Sequence, residues 1–406
     1  MNVKDRLLDY VSVHTQSEDE AGVIPSTKRQ FDLAKKLEKE LNDLHLEKVK
    51  VDDHCYVYGL LPATPGMENK KPVGFIAHMD TSPDYCGENV KPQIIENYDG
   101  GEVVLKGTGA VLSPEEFSDL ETLKGRTLIT TDGTTLLGAD DKAGIAEILT
   151  AVEEIINEKL PHGDIWVGFT PDEEVGCGAD MFDLDYFKAE YAYTLDGDYE
   201  GGLAFENFNA STGTVKIVGK NVHPGSAKDI MINAASIACE FQGLLPRHMV
   251  PEHTTGRDGF FHLIDMKGGV TEAEMTYIIR DHDADLFQKK AQFFKDVAKF
   301  LNEKYGEGVV TAEVKEGYHN MLEVIEKNYY CVEVADKAMR TVGLTPEYTP
   351  IRGGTDGAKL SFMGLPCPNL GTGGYAYHGP FEHITVEGME IAVKVVKEIV
   401  ANAVDK

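Results

Sequence analysis

Residues 165–180 read IWVGFTPDEEVGCGAD. The first six are uncharged and rich in aromatic and β-branched side chains, the composition of a strand buried on both faces. Acids follow at once, in Asp172, Glu173 and Glu174. A solvated turn is the ordinary reading of such a cluster. The alternative is a strand that delivers two carboxylates to a site, one to bind a metal ion and the other to move a proton.

Two further runs, VGFIA at 73–77 and YAYTL at 191–195, have the same strand character. Between them, residues 143–156 place Ile145, Ile148, Leu149, Val152 and Ile156 on one helical stripe, and residues 27–44 do the same with Phe31, Ala34, Leu37 and Leu41. Strand–helix alternation predicts an α/β fold, a mostly parallel sheet sandwiched by helices. After about residue 208 the pattern changes. STGTVKIVGK reads as a strand and AASIACEFQGLL as a helix. Two strands then meet at Gly268-Gly269, followed by a long helix and a last strand. That order is the β-α-β-β-α-β plan of a ferredoxin-like domain. The division expected is a catalytic domain in two parts, 1–208 and 321–406, with an inserted lid domain at 209–320.

A chain of 406 residues exceeds one small core, and 42% apolar residues suffice to fill a larger one or two. With 68 acids against 39 bases the net charge is −29, which argues against nucleic acid and anionic membrane as partners. The six cysteines are scattered without a C-x-x-C pair, as expected of free thiols in a reducing compartment. The first twenty residues read as an amphipathic helix rather than a signal peptide, and no apolar run is long enough to span a bilayer. A soluble, cytoplasmic protein is expected.

Several predicted strands end in metal-ligand residue types. GFIAHMD ends in His78 and Asp80, LLGADDK carries Asp140, the opening stretch carries Glu173 and Glu174, and YTLDGD carries Asp196. Far downstream, YHGPFEH supplies His383. In open α/β sheets, ligands gather beyond the carboxyl ends of the strands. Each motif alone has a plainer reading. A lone His is usually a core or surface residue, Asp at a helix start is a cap, and Asp196-Gly197-Asp198 is a turn. His78 and Asp80, two apart on an extended chain, lie on the same side, which suits a carboxylate that orients a metal-bound imidazole. Two imidazoles with several carboxylates suit zinc or a similar divalent ion, and the surplus acid suggests two ions with one carboxylate bridging.

In their order and spacing, HMDTSPD, LLGADDKAGIAEI, FTPDEEVG, TLDGD, NVHPGSAK, IRGGTDGAKLS and GPFEH resemble the co-catalytic zinc peptidases. That family includes aminoacylases, carboxypeptidase G and dipeptidases, and the likeness is strongest to its tripeptide aminopeptidases. It covers nearly the whole chain. The resemblance implies two zinc ions, with cobalt or manganese as substitutes. It implies that Asp140 bridges them, with His78 and Asp196 on one ion and Glu174 and His383 on the other. It implies that Asp80 orients His78, that Glu173 is the general base toward a bridging hydroxide, and that the peptide joining residues 140 and 141 is cis. His223, Arg280 and Arg352 are implied as substrate-binding residues. A polar turn is the plainer reading for His223, and an ion pair with Asp281 or Asp283 for Arg280. His378 belongs to no ligand motif in this reading and is taken as supporting or structural.

The activity implied is removal of the N-terminal residue from tripeptides, with a small peptide as substrate. A dipeptidase or N-acyl-amino-acid deacylase keeps the same site and changes the substrate. A non-catalytic peptide-binding protein is the reading from a different class, and it predicts lost ligands. The exposed edge of the inserted domain offers a second copy a place to pair, as in dimeric members of the family.

Overall fold

The computed structural model describes residues 1–405, which form two compact units. Of these, the first comprises 1–205, 321–349 and 355–405, and the second 206–320 with 350–354.

The first unit is built on a seven-stranded sheet. Its order is Glu47–Val51, Val57–Leu61, Ile165–Thr170, Val73–His78, Tyr191–Gly197, Asn369–Gly371 and Leu203–Ala204. The four strands from Ile165–Thr170 to Asn369–Gly371 are mutually parallel. The strands outside them pair antiparallel, and a hairpin joins Glu47–Val51 to Val57–Leu61 because the connection is too short for a crossover. Every residue of Val73–His78 and Ile165–Thr170 is buried, which is why both read as unbroken apolar runs. In register, His78 lies beside Thr170 and Ile76 beside Thr194. The carboxyl ends of three strands therefore bring His78, the turn holding Glu173 and Glu174, and Asp196 to one edge of the sheet.

The helix Ala139–Glu158 packs on the sheet and on the helices Val3–Val11 and Val386–Ala401. It buries Ile145, Ile148, Leu149 and Val152, each worth roughly 1.5–3 kcal/mol. Ile155 takes the last buried place, and Ile156 is half-buried. At Gly144 the helix lies against Tyr191–Gly197 so closely that a methyl group would run into the carbonyl oxygen of Leu195. The Asp140–Asp141 peptide is cis, and both residues depart from helical geometry ahead of the regular turns. A small antiparallel sheet of Gly374–Tyr375, His383–Thr385, Leu128–Thr130 and Gln93–Ile95 completes the surroundings.

The second unit is an antiparallel sheet ordered Phe260–Gly268, Glu272–Asp281, Asn209–Val218, Val310–Glu316, with helices Ala234–Leu244 and Ala284–Tyr305. Its own core includes Val215, Phe241, Tyr277 and Phe294. Its limits differ from those read in the sequence. It begins at Glu206, and Pro350–Gly354 joins it because the Ile351 amide donates to the Glu206 carbonyl at 3.0 Å and Arg352 donates to Gly256 and Asp258.

Among the described residues no helix is long and apolar enough to cross a membrane. All six cysteines are free.

Candidate active site

His78, the last residue of a fully buried strand, is 2% exposed and points its two ring nitrogens in different directions. Its Nδ1 lies 3.0 Å from the Asp80 carbonyl oxygen and 3.4 Å from Asp80 Oδ1, while Nε2 faces Asp140 Oδ1 at 2.9 Å and Asp196 Oδ1 at 3.6 Å. One nitrogen is fixed from behind and the other offered to the cluster, the arrangement of a metal-ligating imidazole. The Asp80 carboxylate also reaches the opening stretch. Its Oδ1 accepts the amide of Glu173 at 3.0 Å and its Oδ2 that of Glu174 at 3.2 Å.

Asp140 uses both oxygens. Oδ1 meets His78, and Oδ2 lies 3.2 Å from His378 Nε2, which also lies 2.9 Å from Glu174 Oε2. A single carboxylate thus stands between two imidazoles. His78, Asp140 and Glu174 have ligand atoms close enough to share an ion, as do His78, Asp141 and Asp196. Asp141 is a helix-start acceptor, with Oδ1 on the Gly144 amide at 3.3 Å and Oδ2 on the His78 amide at 3.1 Å.

His383 corrects the sequence reading. It sits in a strand paired on both sides, opposite Tyr375 and Thr130, so its side chain is fixed by the small sheet. The ring is fully buried and stacked on Tyr375, with Nε2 on Asp119 Oδ2 at 2.7 Å and Nδ1 on the Phe381 carbonyl at 2.8 Å. Both nitrogens are engaged away from the cluster. His378, on the loop between the two strands, takes the place expected of His383 beside Asp140 and Glu174. The signal for it lay in the chain: a His inside a glycine-rich loop is free to reach a site, whereas HIT is strand composition.

Glu382 was not singled out from sequence. It is 1% exposed, and its carboxylate accepts the amides of Leu137 at 2.6 Å, Gly138 at 2.8 Å and Asp140 at 3.0 Å.

The electrostatics show what the cluster lacks. Among the described residues, the ion-pair partners of Asp80, Asp140, Glu174 and Asp196 are the two imidazoles alone. Burial, then the neighbouring Asp140, pushes Glu174 up to about 7, and burial pushes Asp196 up to about 6. Glu173 is raised well above the usual carboxylate range by burial and then by Asp196. Hydrogen bonds to Asp140 and Glu174 push His378 up to about 11. For His78, burial works against protonation but the surrounding carboxylates outweigh it, so its pKa rises. Crowded acids drawing protons onto imidazoles is the behaviour of a site built for cations. The donor set, imidazole nitrogen and carboxylate oxygen, suits zinc and its neighbours.

His223, Arg280 and Arg352 lie in the second unit. His223 is exposed in a short turn, where its Nδ1 accepts the Gly225 amide at 3.1 Å. Arg280 donates to the carbonyls of Ile279 and Ser211 and stacks over Tyr318. The ion pair considered for it does not form: Asp281 pairs with Lys290 at 2.5 Å, and Asp283 caps the following helix. Arg352 donates to Gly256, Asp258 and Thr254 and lies over the rings of Phe208 and Phe260.

Residues 131–402 match the model of Peptidase family M20/M25/M40. The chain belongs to this peptidase family. It is 53% identical over 401 residues to Peptidase T of Caldanaerobacter subterraneus subsp. tengcongensis and 52% identical over 399 residues to Peptidase T of Clostridium perfringens strain 13, in each case over 98% of both chains. Its fold matches the crystal structure of aminopeptidase PepT from Bacillus cereus with a TM-score of 0.79 at 24% identity, over 99% of this chain and 98% of that one. The M20 peptidase YXEP of Bacillus subtilis, described as dinuclear metal binding, matches with a TM-score of 0.64 at 15% identity, over 98% of this chain and 97% of that one. This M20 peptidase is thus a hydrolase.

Proposed function

We propose that this M20 peptidase is a metal-dependent aminopeptidase that removes the N-terminal residue of tripeptides, with two zinc ions in the cluster. The observation that carries the reading is Asp140, whose two oxygens each face a different imidazole. His78 and Asp196 would hold one ion, and Glu174 and His378 the other, with Asp140 between. His378 replaces His383 in the ligand set. The similarity to Peptidase T relatives supports the tripeptide assignment.

Bound there, the ions would acidify water and polarise the scissile carbonyl. The chain's own residues do the rest. Glu173 shares the cluster but its carboxylate accepts no hydrogen bond from the described residues, so it is free to take a proton from water and hand it to the leaving amine. Its raised pKa suits that exchange. Asp80 fixes the backbone that presents it. Arg280 and Arg352 are paired with no carboxylate among the described residues and are held by carbonyls and aromatic faces. We assign them, with His223, to the substrate's carboxylate and oxyanion. We place the enzyme in the cytoplasm, and a homodimer contact at the outer strand Phe260–Gly268, whose last five residues are exposed.

The test is hydrolysis of free tripeptides, dipeptides and N-acyl amino acids by metal-stripped protein titrated with zinc. Tripeptide turnover rising towards two equivalents is expected. Turnover of acylated amino acids without tripeptides would instead make the chain a deacylase.

A further inference from the structure

Glu382 is a buried carboxylate with no place in the chemistry above. It lies on the loop between Gly374–Tyr375 and His383–Thr385, four residues after His378. Its oxygens are fully employed: Oε2 gathers the amides of Leu137 and Gly138, and Oε1 that of Asp140. A carboxylate taking three amides is a strong, charge-assisted anchor. Gly138 adopts φ 78°, so the chain turns sharply within this grip. On the next residue, the side chain of His383 is pinned to Asp119, which fixes the strand from its other side.

We propose that Glu382 is the positioning residue of the metal centre. It ties the loop that presents His378 to the turn that presents Asp140, so that the two groups facing the second ion are set as one body across 242 positions of sequence. The inference rests on the metal-dependent reading. It assigns Glu382 no contact with ion or substrate. Residues that orient ligands in this way typically govern metal affinity by roughly 10–100-fold.

The experiment compares the parent enzyme with Glu382→Gln. The amide oxygen of Gln can keep the Leu137 and Gly138 contacts, but its NH2 then faces the Asp140 amide, so the loss is local. Metal-free protein is titrated with Co2+, and the visible absorption of the bound ion and its affinity are read, together with the metal-free melting temperature, kcat and KM. The expected result is a metal-free Tm close to the parent's and the first Co2+ bound as in the parent. The second would bind roughly 10–100-fold more weakly with an altered spectrum. Turnover at saturating metal should show a lowered kcat and little change in KM. Glu382→Asp, which keeps the charge but not the reach, should fall between. If the Gln variant fails to fold, the same two comparisons are made on the Asp variant. A variant that binds both ions with the parent's affinity and spectrum overturns the proposal alone. A parent that takes up no second ion overturns the two-ion reading and this inference with it.

Discussion

Asp80 Oδ1 accepts the backbone amide of Glu173 at 3.0 Å, so the residue that backs His78 also holds the proposed base in place. One side chain thereby joins the strand ends of Val73–His78 and Ile165–Thr170. Asp80→Asn offers one oxygen where two amides need acceptors, and its NH2 faces the other amide. We expect kcat to fall roughly 10–100-fold, with weaker metal binding at His78. Steady-state kinetics and a metal titration on the same sample would show both, and an unchanged kcat would remove Asp80 from this role.

Glu173→Gln should bind metal as the parent does and lose activity by about 10²–10⁴-fold, the usual contribution of a positioned acid–base group. Comparable turnover by the variant would hand the proton transfer to another carboxylate of the cluster.

His378 and His383 make opposite predictions. His378→Ala is expected to weaken the second ion and to cut activity strongly. His383→Phe fills the same buried space beside Tyr375 and should leave two ions bound and activity within a small factor of the parent. If the metal counts come out the other way round, His383 and not His378 is the ligand.

Asp356, 6% exposed, accepts the Thr170 hydroxyl at 2.8 Å, and burial pushes it up to about 7. An acid with a folded pKa above its unfolded value of about 3.9 adds stability that is fully present below the unfolded value and lost as pH rises through about 7. Asp356→Asn keeps the acceptor for Thr170 without the charge. Metal-free variant and parent should melt alike near pH 4, with the variant higher by several degrees at pH 8. Equal melting at both pH values would show Asp356 to be ionised without penalty.

Much of this was legible in the chain. Strands buried on both faces leave unbroken apolar runs, and the acids that end VGFIAHMD, IWVGFTPDEE and YAYTLD stand out against them. The ferredoxin-like order in the second unit was equally plain, in its run of strand, helix, two strands meeting at Gly268-Gly269, helix and strand. The second imidazole was only partly legible, because a His in a glycine-rich loop is marked as free to reach a site without showing which site. His378 and His383 are five residues apart, yet His378 meets Asp140 and His383 meets Asp119. Which one points inward depends on strand pairing with Leu128–Thr130, a contact distant in sequence. Glu382 was hidden for a related reason: its partners are backbone amides, which carry no residue type. The placing of residues 350–354 likewise depends on main-chain bonds to Glu206.

The contact at Gly144 bears on how this centre can vary. At Gly144 the helix Ala139–Glu158 and the strand Tyr191–Gly197 meet main chain to main chain, beside the Asp141 carboxylate that accepts the Gly144 amide. The gap between helix and strand is therefore gauged by the backbone itself. Repacking the aliphatic residues around it can alter stability while leaving the gap untouched. A single methyl group at position 144 would have to push the Leu195 carbonyl aside, and would widen it.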